Sequence, residues 1–248
     1  MKIEQNSAWD LDPTASITPQ ITRILRERII RNDLKPGDRI SESELARTYD
    51  VSRQPVREAF IKLADQGLVE VRPQRGTIVT RIGYLAVLDA RFLREAIEAD
   101  ICKILASSPD PKLIMELRNQ VELQQSLSSE EVSDFSSLDE QFHRTLAEAA
   151  GRGGTWRQIE GLKSQMDRVR YLSLGEFRFG SLIEQHRAVV DRIEVGDIAG
   201  ANAAIRVHLR EVLNDLPQII EANKRFFDLP DGEMPPPVNA PIQGGTNE

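Results

Sequence analysis

From Tyr84 to Phe227 the apolar residues of this 248-residue chain recur at helical spacing, with almost no stretch that alternates as a strand would. Breaks at Pro109/Pro111, at Gly151, Gly153 and Gly154, at Gly175 and at Gly196-Asp197 divide the pattern. They predict helices near 84–107, 111–128, 132–150, 155–173, 178–195 and 198–215, with an extension from Pro217 to Phe227 and Asp197 placed to cap the last main helix. Six or seven helices on short connections bury their apolar stripes by packing as an antiparallel bundle.

Polar residues fall on those stripes. The chain has three histidines, and all three are core-facing. Asp139 and His143 are one helical turn apart on a face defined by Phe135, Leu138, Phe142 and Leu146. His186 belongs to the stripe of Leu182, Ile183, Val190 and Ile193, and His208 to that of Ala201, Ala204, Ile205, Leu209 and Val212. A single histidine on an apolar stripe is more often a hydrogen-bonded core residue than a ligand. Three of three with an aspartate one turn away point instead to a shared interior site, because buried polar groups need partners. Three imidazoles and one carboxylate suit a divalent metal. Zinc is the first choice, and nickel, manganese, cobalt and iron also fit better than calcium or magnesium.

The stretch before Tyr84 reads differently. A helix opens at Thr18 or Gln20 and carries Ile21, Ile24, Leu25 and Ile29; Pro36-Gly37-Asp38 is a turn. A short helix follows from Ser41 to Tyr49, and a third runs from an N-cap at Ser52 through Ala64 with Pro55 in its first turn. LVEV, RPQRG and TIVT then read as strand, turn and strand. Helix, turn, helix and hairpin in this order predict a winged helix-turn-helix. Val56, Phe60 and Leu63 form the inward stripe of the third helix, while Ser52, Arg53, Gln54 and Arg57 face outward near its start, where donors can reach base edges or phosphates. Arg72, Arg75 and Gly76 stand at the hairpin tip, within reach of a minor groove.

Charge supports that division. The whole chain has a net charge of −7, yet residues 17–82 hold 13 Lys/Arg against 9 Asp/Glu, a net of +4. Expected boundaries are a polar tail at 1–16, a DNA-binding domain at 17–82, an all-α metal- and effector-binding domain at 83–227, and a disordered tail at 228–248 with five prolines and three glycines. The lone Cys102, the absence of an apolar leader and the lack of a long apolar run lead to the expectation of a cytoplasmic protein with no membrane partner.

The segment KPGDRISESELARTYDVSRQPVREAFIKLADQGLVEVRPQRGTIV resembles the winged helix-turn-helix of the GntR family, including the PGD turn, VSR-x-PVREA and RG-x-x-V. The resemblance implies base contacts from Arg53 and Arg57 and a close groove approach at Gly76. Ser43 stands where many relatives carry arginine. LDEQFHRTLAEAAG and EQHRAVVDRIEVGDIAGANAAIRVHL resemble the FCD domain of the FadR subfamily. That resemblance implies a mainly α protein with a metal held by Asp139, His143, His186 and His208, whose open positions take a small carboxylic acid. Arg94 with Glu98 is similar to the family's arginine–glutamate pair, so Arg94 is an expected effector contact. Arg168 and Arg170 are further candidates, one of them expected to face water.

The function these features imply is a homodimeric repressor on a pseudo-palindromic double-stranded operator, controlled by an organic-acid effector. A metal-ion sensor with no organic effector is the alternative. A metal-dependent enzyme is a more distant one, since the chain has no HExxH and no nucleophile motif.

Overall fold

A computed structural model describes residues 10–72, 76–128, 131–174 and 179–232. The architecture is mainly helical, as the periodicity predicts. The N-terminal part runs α1 (Ile17–Ile30), β1 (Arg39–Ile40), α2 (Glu42–Thr48), α3 (Arg53–Asp65), β2 (Val69–Arg72) and β3 (Gly76–Val79). The three strands form an antiparallel sheet in the order β1-β3-β2, with Val69 opposite Val79 and Arg72 opposite Gly76. Ile21, Leu25, Ile29, Leu45, Val56, Phe60 and Leu63 close a core between α1, α2, α3 and the sheet.

After the linker strand β4 (Ile82–Gly83) come α4 (Tyr84–Ser107), α5 (Pro111–Ser126), α6 (Val132–Ala149), α7 (Gly153–Leu162), α8 (Ser164–Leu174), α9 (Gly180–Glu194) and α10 (Ile198–Ala222). Asp110 and Asp197 cap α5 and α10 by accepting from the backbone amides of Lys112 and Gly200. Leu117, Val121, Phe135, Phe142, Val190, Ile205 and Leu209 lie in the bundle core.

Three elements differ from the expected pattern. The helix expected over 155–173 begins at Gly153 and breaks at Lys163, giving α7 and α8. Gly161 lies two residues before that break, and Lys163 is buried there with its ammonium bonded to Asp167 and Glu140. The expected interruption at Pro217 is absent, and α10 runs through it. Proline inside a helix costs about 3 kcal/mol. Burial of Val212, Leu216, Ile219 and Ile220 against α4 and α8 offsets that cost. Beyond α10, β5 (Phe227–Asp228) pairs in parallel with β4, so Asp228 is strand rather than tail.

A third apolar cluster seats the linker strand on the body. Ile82 and Tyr84 pack there with Met166 and Val169 of α8 and with Phe226 and Phe227. Polar ties run beside it. Arg26 of α1 donates to Ser164 Oγ, Glu160 O and Asp167 Oδ2. Gln165 Nε2 donates to Gly67 O at 2.7 Å. Gly67 has φ +69°, a left-handed conformation that glycine adopts without strain. No helix among the described residues is long and apolar enough to cross a membrane.

Candidate metal centre and nucleic-acid interface

α6, α9 and α10 bring the four sequence-predicted ligands together. Asp139, His143, His186 and His208 are all buried, and one candidate ligand atom from each lies within 4.8 Å of the others. His143 Nε2 is 3.1 Å from His208 Nε2, and His186 Nε2 is 3.2 Å from the same atom. Asp139 Oδ1 is 3.5 Å from His186 Nε2 and 3.9 Å from His143 Nε2.

The partners of the other ring nitrogens decide what these contacts are. His186 Nδ1 is 2.8 Å from Gln124 Oε1, whose own Nε2 donates to Leu138 O, so the amide is oriented and Nδ1 must carry the proton. His208 Nδ1 is 3.1 Å from Gln185 Oε1. His143 Nδ1 lies 2.6 Å from Glu98 Oε2, a close contact made off the ring N–H axis with a carboxylate that can only accept. Burial holds His186 at a pKa of about 3, and burial with the neighbouring imidazoles lowers His208 well below the ordinary range, so both rings are neutral near pH 7. Neutral imidazoles protonated at Nδ1 present bare lone pairs at Nε2. The Nε2 atoms of all three rings converge with Asp139 Oδ1, a buried oxygen without a hydrogen-bond partner among the described residues. A divalent cation at that convergence would satisfy all four atoms at once. The donor set fits the metal.

Charge around the ligands is arranged to keep the carboxylates ionised. Burial would raise Asp139, but Arg170, paired with its Oδ2, and Arg94 outweigh that and hold it low. Burial likewise pushes Glu98 up, and chiefly the Arg94 guanidinium brings it down to about 2. Arg94 donates through Nε to Glu98 Oε1 at 2.6 Å and lies 5.9 Å from the Trp156 ring centroid.

Of the three arginines expected at the effector, Arg94 and Arg170 border this centre and Arg168 does not. Arg168 is fully buried, donates to Thr80 O at 2.9 Å and to Gln165 Oε1, and thus points at the linker. It is two positions from Arg170, and on a helix that spacing puts side chains on different faces. The residues sequence reasoning missed are Gln124 and Gln185. Gln124 had a signal, being one turn beyond Gln120 and Val121 on the buried stripe of α5.

On the N-terminal part, Ser52 holds the N-cap position of α3, yet its side chain makes no capping bond and is exposed. Arg53, Gln54 and Arg57 are exposed on the same end. Arg53 pairs with Glu42 at 2.9 Å and Gln54 with Glu58 at 3.0 Å, surface contacts that are weak and exchangeable for DNA. Arg72 is exposed beside Glu70. Gly76 has φ +84°, with open space where a side chain would stand. Arg75 lies outside the described residues.

Residues 17–79 match the family described as bacterial regulatory proteins, gntR family, and residues 89–211 match the FCD domain. The HTH-type transcriptional repressor RspR of Escherichia coli (strain K12) is 36% identical over 219 residues, covering 88% of this chain and 96% of that protein. An HTH-type transcriptional regulator in an unstable DNA locus of Streptomyces ambofaciens is 37% identical over 212 residues, covering 85% and 89%. Among solved structures, E. coli McbR/YncC has the same fold, with a TM-score of 0.70 at 20% identity over 82% of this chain and 98% of that one. These relatives are regulators, and the metal-dependent enzyme reading falls with them. A DNA-reading head built on α3 and its hairpin, followed by a helical body matched along most of its length, places this chain in the GntR family of helix-turn-helix transcriptional regulators, in the branch that carries an FCD domain.

Proposed function

We propose that this regulator is a homodimeric repressor whose operator affinity changes when a small organic acid binds a divalent metal in the helical body. In this reading the body spans residues 83–227 and the DNA-binding head residues 17–82. Asp139, His143, His186 and His208 hold the metal, zinc first. The observation that carries the reading is the convergence of three imidazole Nε2 atoms and an Asp139 oxygen without a hydrogen-bond partner among the described residues, inside the bundle. The metal would supply positive charge at the centre and open positions for a carboxylate. Arg94 and Arg170, the buried cations nearest the ligands, stand where they can fork onto that carboxylate. In the head, Ser52, Arg53, Gln54 and Arg57 face the major groove, and Arg72, Arg75 and Gly76 reach the minor groove.

Elemental analysis and a thermal-shift screen of organic acids, run with and without chelator, test this. A ligand that binds only the folded state raises the melting temperature by mass action. The expected result is one metal per chain and acid-dependent stabilisation that chelator abolishes. Absence of metal from the purified and metal-reconstituted protein would refute the reading. Operator release by metal alone, with no response to any acid, would favour a metal-ion sensor.

A further inference from the structure

A cleft of about 750 Å³ runs between the head and the body. Its size is within the ordinary range of small-molecule sites. One wall is the head, with Thr22, Arg23 and Arg26 of α1 and Lys62 near the end of α3. The opposite wall comes from α6, α7 and α8. The cleft reaches Asp139 and Arg170, whereas the three histidines do not line it. The Asp139–Arg170 ion pair therefore stands between the open cleft and the buried imidazoles.

The charge of this cleft is opposite to that of the body. Eight Lys/Arg line it against five Asp/Glu, a net of +3, while the chain outside residues 17–82 carries 19 Lys/Arg and 30 Asp/Glu. The body wall also offers hydroxyl groups at Ser133, Ser136 and Tyr171. Ser136 donates to Val132 O, which leaves its oxygen free to accept. A positive, hydroxyl-bearing channel leading to a buried metal-ligand set attracts a polar anion and gives it contacts along its length.

We infer that the effector site spans both domains: an acid longer than acetate enters through this cleft, places one carboxylate at the metal centre beside Arg170, and lays its second polar or anionic end against Arg23 and Lys62 of the head. The inference rests on the metal-anchored reading above and adds the ligand's length, its second polar end and its contact with the head. A ligand that touches both domains necessarily favours one head–body arrangement over others, which is the differential affinity that regulation requires.

The test uses the full-length, zinc-loaded protein without DNA, titrated calorimetrically with glutarate and with acetate. The variant pair Arg23→Glu and Lys62→Glu reverses two exposed charges on the head wall, and Lys224→Glu, remote on the body, is the control. Glutarate is expected to bind more tightly than acetate and to lose at least about threefold in affinity in the head variant, the size of a screened charge effect at several ångströms. Acetate should change less, and Lys224→Glu should change neither. No saturable glutarate binding, or glutarate binding indifferent to the head variant, overturns the proposal. Repeating the titration with chelated protein separates the two readings. Chelator-sensitive but head-indifferent binding leaves the metal anchor standing without the cleft site. Head-sensitive but chelator-indifferent binding does the reverse.

Discussion

Gln124 touches no metal in the proposed scheme, yet its replacement by leucine should weaken metal binding by one to two orders of magnitude. Its Oε1 holds His186 in the Nδ1-protonated form at 2.8 Å, and its Nε2 is tied to Leu138 O at 3.2 Å. Without that acceptor, the ring is free to move its proton to Nε2 or to rotate, and either removes one of four ligands. Groups that orient ligating histidines are typically worth about 10- to 100-fold in metal affinity, or roughly 1.4–2.8 kcal/mol. The metal-free protein should also lose stability, because the His186 N–H and the Leu138 carbonyl lose a buried partner, at about 1–3 kcal/mol each before the gain from an apolar side chain. Competition of zinc against a chromogenic chelator measures the first effect, and urea denaturation in chelator measures the second. Nitrogen chemical shifts of the imidazole would register the change of tautomer. A folded Gln124→Leu protein with wild-type zinc affinity would refute the argument that the Nδ1 partners organise the site.

Three further outcomes are expected. Arg53→Ala, tested by fluorescence anisotropy on an operator selected from random DNA, should cost about 1–3 kcal/mol and relax one base position; unchanged affinity and salt slope would remove Arg53 from the reading surface. In chelated protein, His186 is neutral in the fold with a pKa of about 3 against 6.5 when unfolded. The unfolded chain therefore binds more protons in that window, and stability present above pH 6.5 should fall by about 1.4 kcal/mol per pH unit from this group as pH drops toward 3; a flat urea midpoint between pH 7 and pH 5 would contradict it. Burial, with no carboxylate partner among the described residues, lowers Arg168 from 12.5 to about 10, a penalty of roughly 3 kcal/mol. Arg168→Met should accordingly leave the melting temperature unchanged or higher while loosening the linker, read as faster tryptic cleavage after Arg81; slower cleavage, or a fall in melting temperature, would count against this account.

Much of the candidate site was legible because helical periodicity is a strong signal. Asp139, His143, His186 and His208 stood out as polar residues on apolar stripes, and the stripes do face one interior. The inward face of α3 was read from Val56, Phe60 and Leu63 for the same reason. What escaped depends on relations between helices. The glutamine anchors need the register of α5 against α9 and of α9 against α10, which no single stripe encodes. The break at Lys163 has only Gly161 as a local marker, while the buried ion pair of Lys163 with Glu140 reaches across the bundle and is not encoded by any one stripe. Arg168 and Arg170 share a sequence neighbourhood but not a direction; only the placement of α8 between linker and metal centre separates their roles.

The pairing of β4 with β5 has a consequence for how far the head can travel. β3 ends at Val79 and β4 begins at Ile82, so Thr80 and Arg81 are the whole leash between the DNA-reading sheet and a segment zipped to the far end of the body. Two residues extend to roughly 7 Å at most. On so short a leash the head can pivot but cannot roam, and in an assembled pair the gap between half-sites would be dictated by the protein. Operators lengthened by half a helical turn should therefore be rejected outright instead of being accommodated by a swinging arm.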